Sequence, residues 1–168
     1  MFSRIELTEE KKLVGNSLQM SLAENRTAEL WNSFIPQLNA ISNLVSNNRY
    51  SLQVYSSSYF NRFHPANMFE KWALAEVSDF ENVPAGLEKF ILPAGLYAVF
   101  VHKGDSREFY KTAQYIYGTW LPSSDFVLDD RPHFEVLGEK AKNNSPSSEE
   151  EVWIPVKRKQ PGQCIPRK

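Results

Sequence analysis

"LWNSFIP" (residues 30–36) and "IYGTWLP" (residues 116–122) share one order: aliphatic, aromatic, two small or polar residues, aromatic, aliphatic, proline. They begin 86 positions apart, at 30 and at 116. Each closes a stretch of helical period. Leu30, Phe34, Ile35 and Leu38 recur at helical spacing after the capping candidates Asn25 and Thr27. Phe109, Ala113, Ile116, Tyr117 and Trp120 do the same after Asp105 or Ser106, with Pro122 expected to stop the helix.

Strand-like runs flank both helices. "KLVGNSLQMSL" (12–22) precedes the first, and "YSLQVYSSSYF" (50–60) and "FEKWALAEV" (69–77) follow it. "LYAVFVHKG" (96–104) precedes the second, and "RPHFEVLG" (131–138) and "EEEVWIPVK" (149–157) follow it. Trp72 and Trp153 lie 81 positions apart, as do Val54 and Glu135. The shorter offset places five more residues in the helix-to-strand connection of the first half, where insertions are tolerated. The matched order predicts an α+β fold made of a duplicated β-α-β-β unit, with pseudo-repeats over 10–78 and 90–158. The linker "DFENVPAGLEKFILPAG" (79–95) adds one more strand at "FIL". One helix on three strands cannot cover its own apolar surface, so two such units pack side by side and leave a groove along their pseudo-twofold axis.

The chain of 168 residues carries a net charge of -1, which gives no basic field for nucleic acid. Aromatic residues make up 13%, enough to furnish both a core and the walls of a small-molecule pocket. The one cysteine, Cys164, excludes an internal disulfide and lies in a basic segment, 159–168, expected to be a flexible tail on a single domain of 1–158. His64, His102 and His133 show no paired ligand spacing, and no Gly-rich phosphate loop or Gly-x-Ser-x-Gly elbow occurs. No metal or cofactor is therefore predicted. With no apolar run of membrane-spanning length and no signal-like N-terminus, a cytoplasmic location is expected.

One acid stands out. In "HFEV", Glu135 shares its strand face with His133 and Leu137 and lies opposite Phe134 and Val136. Alternation alone leaves open whether that face meets solvent or a cleft. An unpaired carboxylate in an apolar cleft is expensive, attracts cations and has a raised pKa.

"VPAGLEKFILPAGLYAVFVHKG" (83–104), "IYGTWLPSSDFVLDDRPHFEVLG" (116–138) and "EEEVWIPVK" together resemble the GyrI-like effector-binding domain. That domain occurs in AraC-type and multidrug-responsive regulators and as a free-standing protein. The resemblance spans roughly residues 10–158 and is strongest over 69–157. It implies a ligand cleft between the halves for lipophilic, often cationic, aromatic molecules. Glu135 matches the family's glutamate in the strand after Trp-Leu-Pro, and Tyr97, Trp120 and Trp153 match aromatic positions near the cleft, a cage around the acid. Trp72 joins them as the counterpart of Trp153. Tyr117 and Tyr55 are hydroxyl candidates, and Glu151, on the face of Trp153, is a secondary acid.

Residues 1–12 are too few for a helix-turn-helix, so direct DNA binding is not expected. Free-standing relatives include a DNA gyrase inhibitor and enzymes that hydrolyse strained cyclopropanes in DNA-alkylating antibiotics. Three readings follow. The first is a protein that senses or sequesters a lipophilic aromatic small molecule, neutral or cationic. The second is a hydrolase in which Glu135 activates water. The third is an inhibitor that acts on a protein partner such as DNA gyrase. Its oligomeric state is expected to be a monomer or weak dimer.

Overall fold

Two β-α-β-β units occupy the places the repeat assigns. A computed structural model describes residues 1–142 and 145–160. The strands of the first unit are β2 (Lys11–Met20), β3 (Leu44–Val54) and β4 (Phe69–Val77), with helix α1 (Thr27–Phe34) after β2. Those of the second are β6 (Gly95–Lys103), β8 (His133–Leu137) and β9 (Glu149–Arg158), with α2 (Phe109–Tyr115) after β6. Two strands stand before the units, β1 (Phe2–Thr8) and β5 (Glu88–Leu92). The short strand β7 (Phe126–Leu128) pairs only with β9.

The main sheet runs β1-β6-β9-β8-β3-β4-β2-β5, and its neighbours pair antiparallel. The halves meet where β3 pairs β8, with Leu52 opposite Phe134. β1 leads directly into β2 but pairs β6 of the other unit, and β5 leads into β6 but pairs β2. Each unit is therefore closed at its edge by a strand from the other half. The "FIL" strand appears as β5. β1 was not legible in "MFSRIELT", because a sheet edge tolerates charge and exposes one face.

Helix α1 lies on β2 and β4, where Leu30 and Phe34 bury against Val14, Met20, Phe69 and the small Ala73 and Ala75. Gly15, paired with Leu74 in the sheet, is set by backbone approach: a Cβ there would come within 1.8 Å of the Ala73 carbonyl oxygen, so only glycine fits. The α2 segment packs Ile116, Phe109 and Tyr115 against Ala98, Phe100, Val152 and Ile154 of β6 and β9. Its chain does not stop at Trp120. It passes through a π-helical turn over Ile116–Trp120 into a short helix, α3 (Leu121–Ser123), so Pro122 lies within a continuous helical run and the chain leaves it at Ser124.

The sheet face away from the helices has its own core: Leu13, Tyr50, Leu52, Trp72, Leu74, Leu92, Tyr97, Val99, Phe134 and Trp153. Among the described residues, no helix is long and apolar enough to cross a membrane. Of the expected tail, Lys159 is fixed by its ammonium donating to the Ser124 carbonyl at 2.5 Å. Cys164 and the rest of 161–168 lie outside the described residues.

Candidate functional site

Because α1 covers β2 and β4 and the α2 segment covers β6 and β9, the central strands β3 and β8 floor a valley between the helices. Strand alternation decides what stands in it. Leu52 and Phe134 point into the far core, so Ser51, Gln53, His133 and Glu135 point toward the helices. Lys71 alternates with Ala73 and Ala75 under α1, and Glu150 alternates with Val152 and Ile154 under α2, so both join the same side. Cross-strand pairing sets them in a band: Lys71 opposite Gln53, Gln53 opposite His133, and Glu150 opposite His102.

Glu135 is the centre of this band. As a residue it keeps some exposed surface, but its carboxylate is surrounded by protein. Oε2 accepts a hydrogen bond from the Gln53 amide at 3.0 Å. Burial pushes its pKa above the usual carboxylate value, and the Lys71 charge and the Gln53 hydrogen bond only partly oppose this. Glu150 is pushed up to about 7, by burial first and then by the charge of Glu135, against the pull of Lys71. No ion pair joins either carboxylate to a cation among the described residues.

Aromatic rings close the valley beside the acid. Phe60, from the turn-rich segment between β3 and β4, stacks on His133 at 5.3 Å and on Tyr117 at 5.3 Å. Tyr55 meets the His133 ring edge-on at 4.9 Å. The Tyr117 hydroxyl and His133 Nδ1 lie 3.2 Å apart, within hydrogen-bond distance. Burial, then the nearby Arg131 charge, pushes His133 down to about 3, so the imidazole is neutral. Tyr55 and Tyr117 are both held far above the ordinary phenol value, mainly by burial, with the Glu135 charge contributing. The Tyr55 hydroxyl has no hydrogen-bond partner among the described residues. On the outer side of the same segment, Ser56, Ser58, Tyr59, Arg62, Asn67 and Met68 line an open hollow of about 280 Å³ that does not reach Glu135.

The sheet divides the residues that the sequence singled out. Glu135 and Tyr117 share the interhelical valley. Tyr97, Trp153 and Trp72 belong to the core on the opposite face, where Trp153 stacks on Phe134 at 5.2 Å. There the Tyr97 hydroxyl donates to the Pro132 carbonyl at 2.8 Å and the Trp72 indole donates to Glu70. Glu151 is on that side too, bound to Arg4 at 2.8 Å. Trp120 stacks on Phe2 at 5.1 Å and meets Phe100 edge-on, in the core beneath α2. Tyr97, Trp120 and Trp153 therefore form no cage around Glu135.

The sequence reading missed Gln53, Phe60, Lys71 and Glu150. The repeat held the signal for the first. Trp72 pairs Leu52, and Trp153 pairs Phe134. Matching the tryptophans therefore matches Leu52 to Phe134 and makes Gln53, not Val54, the counterpart of Glu135. The offset of 81 is right for the last strand of each unit and one residue short for the strand before it. In a period of two, one residue turns a side chain to the other face. Glu150 was missed through the same parity, because Glu151 was placed by the face of Trp153.

The family model described as "Integron-associated effector binding protein" matches residues 4–156. The transcriptional regulator BrlR of Pseudomonas aeruginosa is 26% identical over 157 residues, covering 93% of this chain and 56% of the regulator. The chain thus spans about half the length of that relative. Among solved structures, SAV2435 bound to tetraphenylphosphonium matches with a TM-score of 0.71 at 14% identity, over 94% of both chains. An integron cassette protein from Vibrio cholerae matches with a TM-score of 0.66 at 14% identity, over 93% of this chain and 97% of the other. At such identities these two structures establish a shared fold.

Proposed function

The chain belongs to the integron-associated effector binding protein family, a small-molecule-binding family, and from that premise we propose that it takes lipophilic aromatic cations between its two helices. The carrying observation is the Glu135 carboxylate, part-buried on the valley floor with one neutral amide as its partner and its pKa raised by burial. A buried ionised carboxylate without a cation is costly, and a bound cation removes that cost. The rings of Tyr55, Phe60 and Tyr117 supply π faces and apolar area for an aromatic cation. SAV2435, of the same fold, holds a phosphonium with four aromatic rings, which supports this ligand class.

Room for such a ligand comes from the segment that carries Phe60. Its backbone hydrogen bonds are mostly local turns, such as Tyr59 N to Ser56 O and Arg62 N to Ser58 O. A contact from Ala23 N to Pro65 O, 2.9 Å, ties it to the rest of the fold. Displacing it breaks no sheet ladder.

The test is calorimetric titration with tetraphenylphosphonium and with a neutral aromatic of matched shape. Glu135→Gln weakens the cation by about tenfold or more, the worth of a charge-assisted contact, and spares the neutral compound. Equal loss of both ligands, or no loss of either, overturns the reading.

A further inference from the structure

The valley contains a second acid and a cation that the proposed function leaves unused. Glu135 pairs Val152, so Glu150 lies diagonally across the same strand pair and on the same side as Glu135. Diagonal neighbours of this kind stand about 7–8 Å apart, within mutual electrostatic reach. The groups that face Glu150 are Glu135 from β8, His102 from β6 and Lys71 from β4. His102 is already engaged, with Nδ1 2.6 Å from the Thr112 hydroxyl and Nε2 3.0 Å from the Asp105 carbonyl.

Lys71 is the positive charge that acts on both acids, while His102 acts on Glu135 alone. It faces the valley across from Gln53, the residue that hydrogen-bonds Glu135. Its charge draws both carboxylates toward the ionised form. Yet it closes on neither as an ion pair among the described residues. It stands beyond ion-pair distance of both, which leaves both acids free for another cation. The Tyr55 hydroxyl lies close enough to feel the charge of the same acid, so the space is polar on more than one side.

We infer that Lys71 is the resident counter-charge of the Glu135–Glu150 pair and the residue that limits the site to singly charged cations. Two carboxylates and one ammonium leave one uncompensated negative charge. A monocation neutralises it. A dication overshoots it and is repelled by Lys71 in a medium where Coulomb forces are weakly screened. The inference rests on the reading that a cation enters beside Glu135, and it adds a statement about which cation.

The experiment measures affinity for tetraphenylphosphonium and for a rigid aromatic bis-phosphonium at pH 8, where Glu150 is ionised. Wild type prefers the monocation. Lys71→Met tightens both ligands and improves the dication by on the order of tenfold more, because the lost repulsion scales with ligand charge. Lys71→Gln, which keeps a polar end at that position, gives the same change in ratio. The double variant Lys71→Met/Glu150→Gln returns the preference toward the monocation. If both lysine variants leave the ratio of the two affinities unchanged while Glu135→Gln still weakens tetraphenylphosphonium, the role of Lys71 is overturned and the cation site stands. If Glu135→Gln changes nothing in any background, the cation site falls and this inference falls with it.

Discussion

On the sheet face away from the helices, Glu151 meets Arg4 at 2.8 Å and Glu76 meets Lys11 at 3.5 Å. On the helix face, Glu135 has a neutral amide and Glu150 has no cation at ion-pair distance among the described residues. The first face is an aromatic core with Glu151 and Glu76 paired at the rim, and its buried Trp153 indole N–H has no partner among the described residues. The second holds acids inward and incompletely compensated, which stability alone would remove. The same sheet thus separates a face packed across its width from one that carries acids between two helix-covered cores.

The largest way to break the packed face is Phe134→Ala. Phe134 is 1% exposed beneath Trp153 and beside Tyr97 and Tyr50. Its truncation should cost about 3–5 kcal/mol, read from urea unfolding. A loss below about 1 kcal/mol would mean that this face is loosely packed.

A smaller effect separates the charged face by its pH dependence. The folded-state pKa of Glu150 is raised from the ordinary glutamate value to about 7, so the folded protein binds more protons than the unfolded chain between those values. Stability therefore falls as pH rises through that window, which is the opposite sign to a salt-bridged acid. Glu150→Gln should remove on the order of 1 kcal/mol of this dependence and leave the variant the more stable protein at pH 8. Melting curves of both proteins from pH 4.5 to 8 check it; parallel curves would show that Glu150 is not held in a charge-averse place.

The least effect belongs to the rim. Arg4 and Glu151 have side chains 41% and 36% exposed, so Arg4→Ala should change stability by less than about 1 kcal/mol, and less still in high salt. A larger loss in the same melts would show that the rim pairs hold the packed face together, and the contrast between the faces would narrow.

Legibility followed the same division. The helices, the three strands of each unit and the extra strand β5 were readable because two half-chains repeat one periodic pattern. The repeat carried less about register. Aligning Trp72 with Trp153 put Val54 against Glu135, whereas the ladder puts Gln53 there. The aromatic residues were recognisable as important, but not by side: Tyr97, Trp153 and Trp72 fill a core, and Phe60, which drew no notice in its turn segment, closes the valley.

Periodicity and composition are local properties, so the duplicated β-α-β-β order and the acid Glu135 in an apolar strand could be read directly from the chain. It also carried the likeness to effector-binding domains. Only the tertiary structure decided that Glu135 looks toward the helices, that Gln53 is its partner, and that Lys71 and Glu150 share its enclosure. Those facts depend on which strands pair and in what register. Two residues on one strand reveal their relative faces, but two residues on different strands reveal theirs only once hydrogen bonding across the pseudo-twofold axis has fixed the ladder.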